Sequence, residues 1–171
     1  RYVMAASYGE VCYDLPVGFK YISSKIDEVD AVLGGESSGG LAVRGHIAGK
    51  DGIYAAALLV EMLAVTGKSV SQLYQEITDK YGMLYYEDAA FTMTQARKAE
   101  LQEKLFVKLE VPDFGNAVEK INRTDGCKVY FTDGSWVICR FSGTEPLLRM
   151  AAEGESQSQA RTYIRIWREE L

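Results

Sequence analysis

Hydrophobic positions in the first half of the chain recur mostly at helical spacing, interrupted by short apolar runs that end in glycine. Residues 11–13 and 30–33 read as short strands, the second a buried strand running into a glycine-rich loop. Residues 19–22 read as a further extended piece or a helix start. Asp51 stands where it can cap a helix from Gly52 to about Val65. That stretch is apolar almost all round, through Ile53, Ala55, Ala56, Leu58, Leu59, Met62 and Leu63. The pattern predicts a largely buried helix stopped by Gly67. Ser69 and Gln72 have capping-box spacing, and Val70, Leu73, Tyr74, Ile77 and Tyr81 then share one helical face up to Gly82. Thr92 and Gln95 repeat that spacing ahead of a more polar helix to about Leu105.

The second half carries a period of two. The pairs Asp125-Gly126 and Asp133-Gly134 bracket an apolar run at 127–131, and a second run follows at 136–141. Asp-Gly between such runs is a strong hairpin signal. Residues 148–152 read as another strand, and Ser156 with Gln159 as a third capping box. Ala160, Tyr163, Ile164, Trp167 and Leu171 then form one face of a terminal helix. The predicted fold is an α/β domain at 1–97, with a partial mixed sheet and flanking helices. A linker at 98–104 and a small α+β domain with an antiparallel sheet at 105–171 complete it.

Composition narrows the partners. A chain of 171 residues with 47% hydrophobic and 25% charged residues has enough apolar material for a core. The net charge of −5 argues against a non-specific nucleic-acid binder. It leaves room for a small anion, which a local arginine pair can hold. Tyr85, Tyr86 and Phe91 read as packing residues, because no basic residues interleave them as a base-stacking platform needs. The cysteines, Cys12, Cys127 and Cys139, form no C-x-x-C pair, so zinc is not expected and a reducing, cytoplasmic setting is. The apolar run at 53–63 is broken by Glu61, and no membrane partner is expected. The chain opens at Arg1, which reads as the interior of a longer protein.

Three stretches could carry chemistry. Gly34-Gly35-Glu36-Ser37-Ser38-Gly39-Gly40 follows a predicted strand, where ligands collect in open α/β sheets. Glu36 can accept hydrogen bonds, and Ser38 can donate or accept them, a pair suited to adjacent sugar hydroxyls; a plain glycine-rich surface turn fits the spacing equally well. Arg140-Phe141-Ser142-Gly143-Thr144-Glu145-Pro146, with Arg149 beyond it, gathers two guanidinium groups, two hydroxyls and a glycine able to turn backbone N–H groups inward. That set matches a phosphate monoester; the alternative is a tight turn with two surface arginines. In His46-Ile47-Ala48-Gly49-Lys50-Asp51-Gly52, the sole histidine reads as a structural hydrogen bonder before a general base. Lys50 sits beside a helix N-terminus, which suits an anion, though most lysines are simply solvated.

Taken in order, these motifs resemble the α-D-phosphohexomutases of the phosphoglucomutase/phosphomannomutase kind. Pro16-Val17-Gly18-Phe19-Lys20 resembles a short loop of that family's third domain. Gly35 to Gly39 resembles its G-E-x-S-G sugar loop, and His46 to Gly52 its H-I-x-x-K-D-G stretch. Arg140 to Arg149 is similar to its R-x-S-G-T-E-P-x-x-R phosphate loop. The resemblance implies that the chain holds most of the third domain and the fourth of a four-domain isomerase. Such an enzyme moves phosphate between the 1 and 6 positions of a hexose through a bisphosphorylated intermediate of the glucose 1,6-bisphosphate type. It implies sugar contacts from Glu36, Ser38, Lys50, Val17 and Gly18, and a phosphate clamp from Arg140, Ser142, Gly143, Thr144 and Arg149. Its phosphoserine segment (T-A-S-H-N) and Mg²⁺ loop (D-G-D-x-D-R) do not occur in this sequence. Catalytic and metal residues are therefore expected in N-terminal domains of the same protein, and this chain alone is expected to be inactive. Ser37 stands where the family commonly has Glu or Met. The alternatives are a stand-alone sugar-phosphate binding module and a plain structural domain. The resemblance requires Glu36 and Arg140 to serve a common ligand.

Overall fold

The computed structural model describes residues 2–142 and 146–170. The chain divides into two compact units, residues 1–82 and 83–171.

The first unit contains helices α1 (Tyr2–Ser7) and α2 (Phe19–Val29), strands β1 (Leu33–Gly35) and β2 (Leu41–Val43), and helices α3 (Gly52–Thr66) and α4 (Val70–Tyr81). Residues 19–22 thus open a helix. Ile22 and Ile26 lie on one face of α2 and form a small core with Ala42, flanked by Leu15, Phe19 and Ala31. β1 and β2 pair antiparallel, Leu33 opposite Val43 and Gly35 opposite Leu41. Two expectations fail here. Residues 11–13 form no strand; they run irregularly, with Val11 67% exposed. The strand expected at 30–33 begins at Leu33 and is not buried, because Leu33 points outward while Gly34 lies against Ile22.

The local punctuation of α3 and α4 is as the sequence predicts. Asp51 accepts hydrogen bonds from the N–H groups of Ile53 and Tyr54, and Gly67 closes α3 in the left-handed region. Ser69 and Gln72 form a reciprocal capping box, and Gly82 ends α4. The burial of α3 is not as predicted: none of its residues is buried, and Ile53 is 86% exposed. Caps are set by neighbours in sequence, whereas burial needs a covering element. Tyr54, Ala55, Leu58 and Leu63 are only half-buried.

The second unit is built on a five-stranded antiparallel sheet in the order β3-β7-β6-β5-β4. Its strands are β3 (Tyr85–Thr92), β4 (Val118–Asn122), β5 (Cys127–Phe131), β6 (Trp136–Phe141) and β7 (Leu147–Gly154). The two Asp-Gly pairs make the β4–β5 and β5–β6 turns, as read from the sequence. Neither β4 nor β3 was anticipated. β3 pairs with β7 along its whole length, Tyr85 opposite Gly154 and Thr92 opposite Leu147. That pairing places residues 83–97 with the second unit, so the units divide ahead of the boundary expected at 98–104.

α5 (Gln95–Gln102) continues as a π-helical turn, Glu103–Val107. Its cap is Thr94, not Thr92, because Thr92 is still held in β3. α6 (Gln157–Glu170) starts where Ser156 accepts from the N–H of Gln159. Its apolar face of Ala160, Tyr163, Ile164 and Trp167 is buried against Val129, Val137, Cys139, Met150 and Ala152. Leu171, expected on the same face, lies outside the described residues. Leu101 and Leu105 complete the core, and Phe114 stands edge-on to Phe131, Tyr163 and Trp167. No single helix among the described residues is long and apolar enough to cross a membrane.

Asp133 fixes the β5–β6 corner. Its carboxylate accepts from the Ser135 N–H at 2.9 Å, the Ser135 hydroxyl at 2.5 Å, Asn116 at 2.7 Å and Gln159 at 3.0 Å. Partial burial pushes the carboxyl up, but these bonds outweigh it and hold Asp133 below the usual carboxylate range. A depressed folded value contributes stability that is complete above the ordinary carboxylate range and is lost as pH falls through the folded value. Asp133→Ala should therefore cost about 1–3 kcal/mol in urea unfolding at neutral pH, with the gap narrowing in acid. A cost that stays constant down to pH 2 would contradict the assignment.

Cys127 and Cys139 face each other across β5 and β6, both fully buried. Burial pushes both thiols up from their usual value, so neither offers a thiolate to a reagent. Cys12 lies half-buried in an irregular segment. Aromatic disulfide titration of the native chain should register Cys12 alone, and all three thiols in guanidinium.

Candidate functional site

The first group of predicted residues is assembled by the turn joining β1 to β2. The N–H of Glu36 donates to the Gly40 carbonyl at 2.9 Å, and the N–H of Gly39 to the Glu36 carbonyl at 3.0 Å. This tight closure holds the Glu36 side chain over the turn. The Lys50 ammonium approaches the Glu36 carboxylate at 2.6 Å, and the Ser38 hydroxyl donates to the same carboxylate at 3.4 Å. The same ammonium lies 5.1 Å from the ring centre of Phe19. Phe19 follows Val17 and Gly18, and Gly18 is the N-cap residue of α2. Glu36, Ser38 and Lys50 therefore meet at one place, with the 17–18 loop beside them. The Lys50 side chain is 52% exposed and that of Glu36 20%, so the pair is worth little as a stabilising salt bridge. As chemistry it is a carboxylate acceptor beside an ammonium and a hydroxyl, the donors and acceptors that vicinal sugar hydroxyls require.

His46 is tied into the adjoining helix cap. Its Nε2 lies 2.9 Å from Asp51 Oδ2, and its ring stacks on Tyr54 with centroids 3.9 Å apart. Asp51 also accepts from the Tyr54 and Ile53 N–H groups. The bond from the Tyr54 N–H, then that from His46, hold Asp51 below the usual carboxylate range. The Ser23 hydroxyl donates to the Ala48 carbonyl and fastens the 46–50 loop to α2. The histidine thus stiffens the loop that presents Lys50.

The second group sits at the end of the β6–β7 ladder. Arg140 and Arg149 are directly opposite one another. In an antiparallel pair, opposed residues share a face. Their neighbours Cys139 and Met150 form the next opposed pair and are buried in the core, so alternation sends the arginines to the other face. Past the arginines, Ser142 is buried, and its N–H donates to the Leu147 carbonyl at 2.8 Å. The loop base is pinned further by Met93 N–H to the Pro146 carbonyl at 2.9 Å and by Lys98 Nζ to the Ser142 carbonyl at 3.2 Å. Gly143 and Thr144 lie outside the described residues.

Two contributors escaped the sequence reading. Lys98 had no signal, being one of two adjacent basic residues on a polar helix. Gly126 was legible as a turn residue, but not as a neighbour of Arg140. A Cβ at Gly126 would stand 2.5 Å from the Cys139 carbonyl oxygen and 3.0 Å from Cα and Cβ of Arg140. Among the described residues no group of three or more His, Cys, Asp or Glu could hold a metal ion.

Residues 2–81 match the family model described as phosphoglucomutase/phosphomannomutase, alpha/beta/alpha domain III, and residues 92–166 match the one for the phosphoglucomutase/phosphomannomutase C-terminal domain. The chain is 31% identical over 150 residues to a phosphoglucomutase/phosphomannomutase of Thermococcus kodakarensis, covering 88% of this chain and 30% of that protein. It is 36% identical over 141 residues to a "Probable phosphoglucosamine mutase" of Methanosarcina acetivorans, covering 82% of this chain and 30% of that protein. The crystal structure of a phosphoglucomutase/phosphomannomutase family protein from Burkholderia thailandensis shares the fold, with a TM-score of 0.66 and 22% identity, over 90% of this chain and 30% of that one. The chain thus spans about 30% of the length of these relatives.

The backbone around Arg140 yields a direct test. Gly126 and Gly134 both have positive φ, 90° and 84°, but only Gly126 has backbone in the way of a Cβ. Gly134→Ala should cost about 1–2 kcal/mol, the ordinary price of the left-handed region. Gly126→Ala should cost more, about 2–4 kcal/mol, because strain and overpacking add. It should also shift the Arg140 amide resonance, as thermal melts and amide spectra of the two variants would show.

Proposed function

This chain belongs to the phosphoglucomutase/phosphomannomutase family, and on that premise we propose that it is the substrate-gripping C-terminal part of a hexose-phosphate mutase. The first unit carries the sugar grip: Glu36 accepts from ring hydroxyls, Ser38 and Lys50 donate to them, and Val17 and Gly18 contribute backbone. The second carries the phosphate grip of Arg140, Ser142, Gly143, Thr144 and Arg149, which holds the phosphate that is not being transferred. The observation that carries this reading is the opposed register of Arg140 and Arg149. Like charges directly opposite on adjacent strands are destabilising. An anion between two guanidinium forks reverses the sign of that interaction and gains charge-assisted hydrogen bonds.

Phosphoryl transfer depends mostly on positioning and charge neutralisation. Fixing one phosphate and the sugar hydroxyls decides which oxygen is presented for reaction. The phosphoserine and the Mg²⁺ loop, which neutralises developing charge, belong in this proposal to other domains of the same cytoplasmic protein. A hexose 1,6-bisphosphate would be the intermediate, and exchange of its two phosphates requires the grip to release and rebind. Glu36 and Ser38 read hydroxyls without separating glucose from mannose, and the relatives' names extend the sugar class to an amino sugar.

Titration of the purified chain with glucose 1-phosphate should show weak saturable binding by amide shifts or calorimetry. Arg140→Ala should abolish it. Glu36→Gln should weaken glucose 1-phosphate by about three- to tenfold while leaving inorganic phosphate unchanged, since exchanging a charge-assisted bond for a neutral one loses roughly 1 kcal/mol. Saturable binding that survives Arg140→Ala would refute the phosphate grip. No mutase turnover is expected from this chain alone.

A further inference from the structure

We propose that Gly40 is a positioning residue of the sugar grip, its missing side chain being the slot through which the Lys50 stem crosses to Glu36; the inference rests on the reading of Glu36 and Lys50 given above. Gly40 lies outside the Gly35–Gly39 motif and directly ahead of β2. Its carbonyl accepts the Glu36 N–H, so it closes the turn that holds the carboxylate.

Glycine is needed at this position for space. The neighbouring Gly39 has a φ of 96°, in the left-handed region, and a Cβ there would meet nothing within 4 Å. Gly40 is the reverse case. It has no positive φ, so left-handed strain does not demand glycine. A Cβ would instead stand 2.9 Å from Cε and 3.1 Å from Cδ of Lys50, and 3.1 Å from Oε2 of Glu36. Carbon atoms in contact ordinarily stay about 3.5–4.0 Å apart. The lysine stem and the carboxylate thus occupy the volume that a side chain would take.

The crossing fixes where the ammonium ends. It reaches the Glu36 carboxylate at 2.6 Å and stands 5.1 Å from the ring centre of Phe19, and both groups attract a cation. The base of the stem is fixed as well. Ser23 holds the Ala48 carbonyl, and His46 holds the Asp51 cap. Lysine has much rotamer freedom to lose when it is ordered. A stem already laid across Gly40 has lost part of it before a ligand arrives, which is preorganisation of the donor beside its acceptor. Gly40 acts on the sugar only through Lys50, and that dependence is the property to test.

The test uses the purified chain with glucose 1-phosphate and inorganic phosphate as probes, followed by NMR. Gly40→Ala, Lys50→Ala and the double variant are compared with the parent, each with a thermal melt. The nearest atoms belong to the far end of a flexible side chain, so Gly40→Ala should fold and melt like the parent. Its Lys50 methylene resonances should lose the displacement that the Phe19 ring imposes; unchanged resonances overturn the inference. Its dissociation constant for glucose 1-phosphate should rise by about three- to tenfold, the scale of one charge-assisted contact, with inorganic phosphate within about twofold. Once Lys50→Ala is in place, Gly40→Ala should add less than about twofold, because residues acting through one contact are not additive. An equal loss with and without Lys50 overturns the inference. If Gly40→Ala alone does not fold, the double variant, which lacks the obstructing stem, should; a double variant that stays unfolded also overturns it. Parent-like glucose 1-phosphate binding by folded Gly40→Ala, alongside loss in Lys50→Ala, overturns the role of Gly40 and leaves the sugar grip standing. Parent-like binding by Lys50→Ala, or no saturable shift with the parent chain, removes Lys50 from the sugar grip and this inference with it.

Discussion

Alternation of side chains along paired strands does two jobs at once in the β6–β7 ladder. Cys139 and Met150 go into the core together, and Arg140 and Arg149 leave it together. A slip of one residue would bury the two guanidinium groups and expose the apolar pair. The cost of burying unpaired charge and losing apolar contacts is what holds the register. Core packing and cation placement are thus one constraint. The packing of α6 and Phe114 against the inner face is part of what aims the arginines.

The sugar group is aimed differently. No large core lies beneath it, since the first unit buries only Ile22, Ile26 and Ala42 as a cluster. Short-range hydrogen bonds substitute. The Glu36–Gly40 closure sets the carboxylate, and the Asp51 cap with His46 and Tyr54 sets the loop that carries Lys50. Each of these bonds spans only a few residues, so the loops take their form without help from distant strands. Local geometry of that kind is cheap to build and carries modest stability.

This difference explains what could be read from the sequence. Features set by near neighbours were legible: the Asp51 and Ser69 caps, the Gly67 and Gly82 stops, the two Asp-Gly turns and the apolar face of α6. The phosphohexomutase resemblance was legible because its motifs are contiguous loops. Features set by distant partners were not. Tyr85–Thr92 shows no clean alternation, and its strand character comes from pairing with β7. Thr92 and Thr94 are both acceptable caps, and β3 decides between them by claiming Thr92. An all-round apolar pattern predicted a buried α3, but pattern records only what a helix could bury against.

The two groups also differ in how they would tolerate change. A grip carried by sheet register moves as a body, because every strand beside it is tied by ladder hydrogen bonds and core contacts. Releasing an anion from Arg140 and Arg149 therefore cannot depend on strand distortion, which would disturb Cys139 and Met150 as well. Any release has to come from the side chains, since the Ser142 carbonyl is held by Lys98 and the Pro146 carbonyl by Met93. The first unit inverts this: Glu36 and Lys50 already satisfy each other, so a sugar must compete for groups that are engaged.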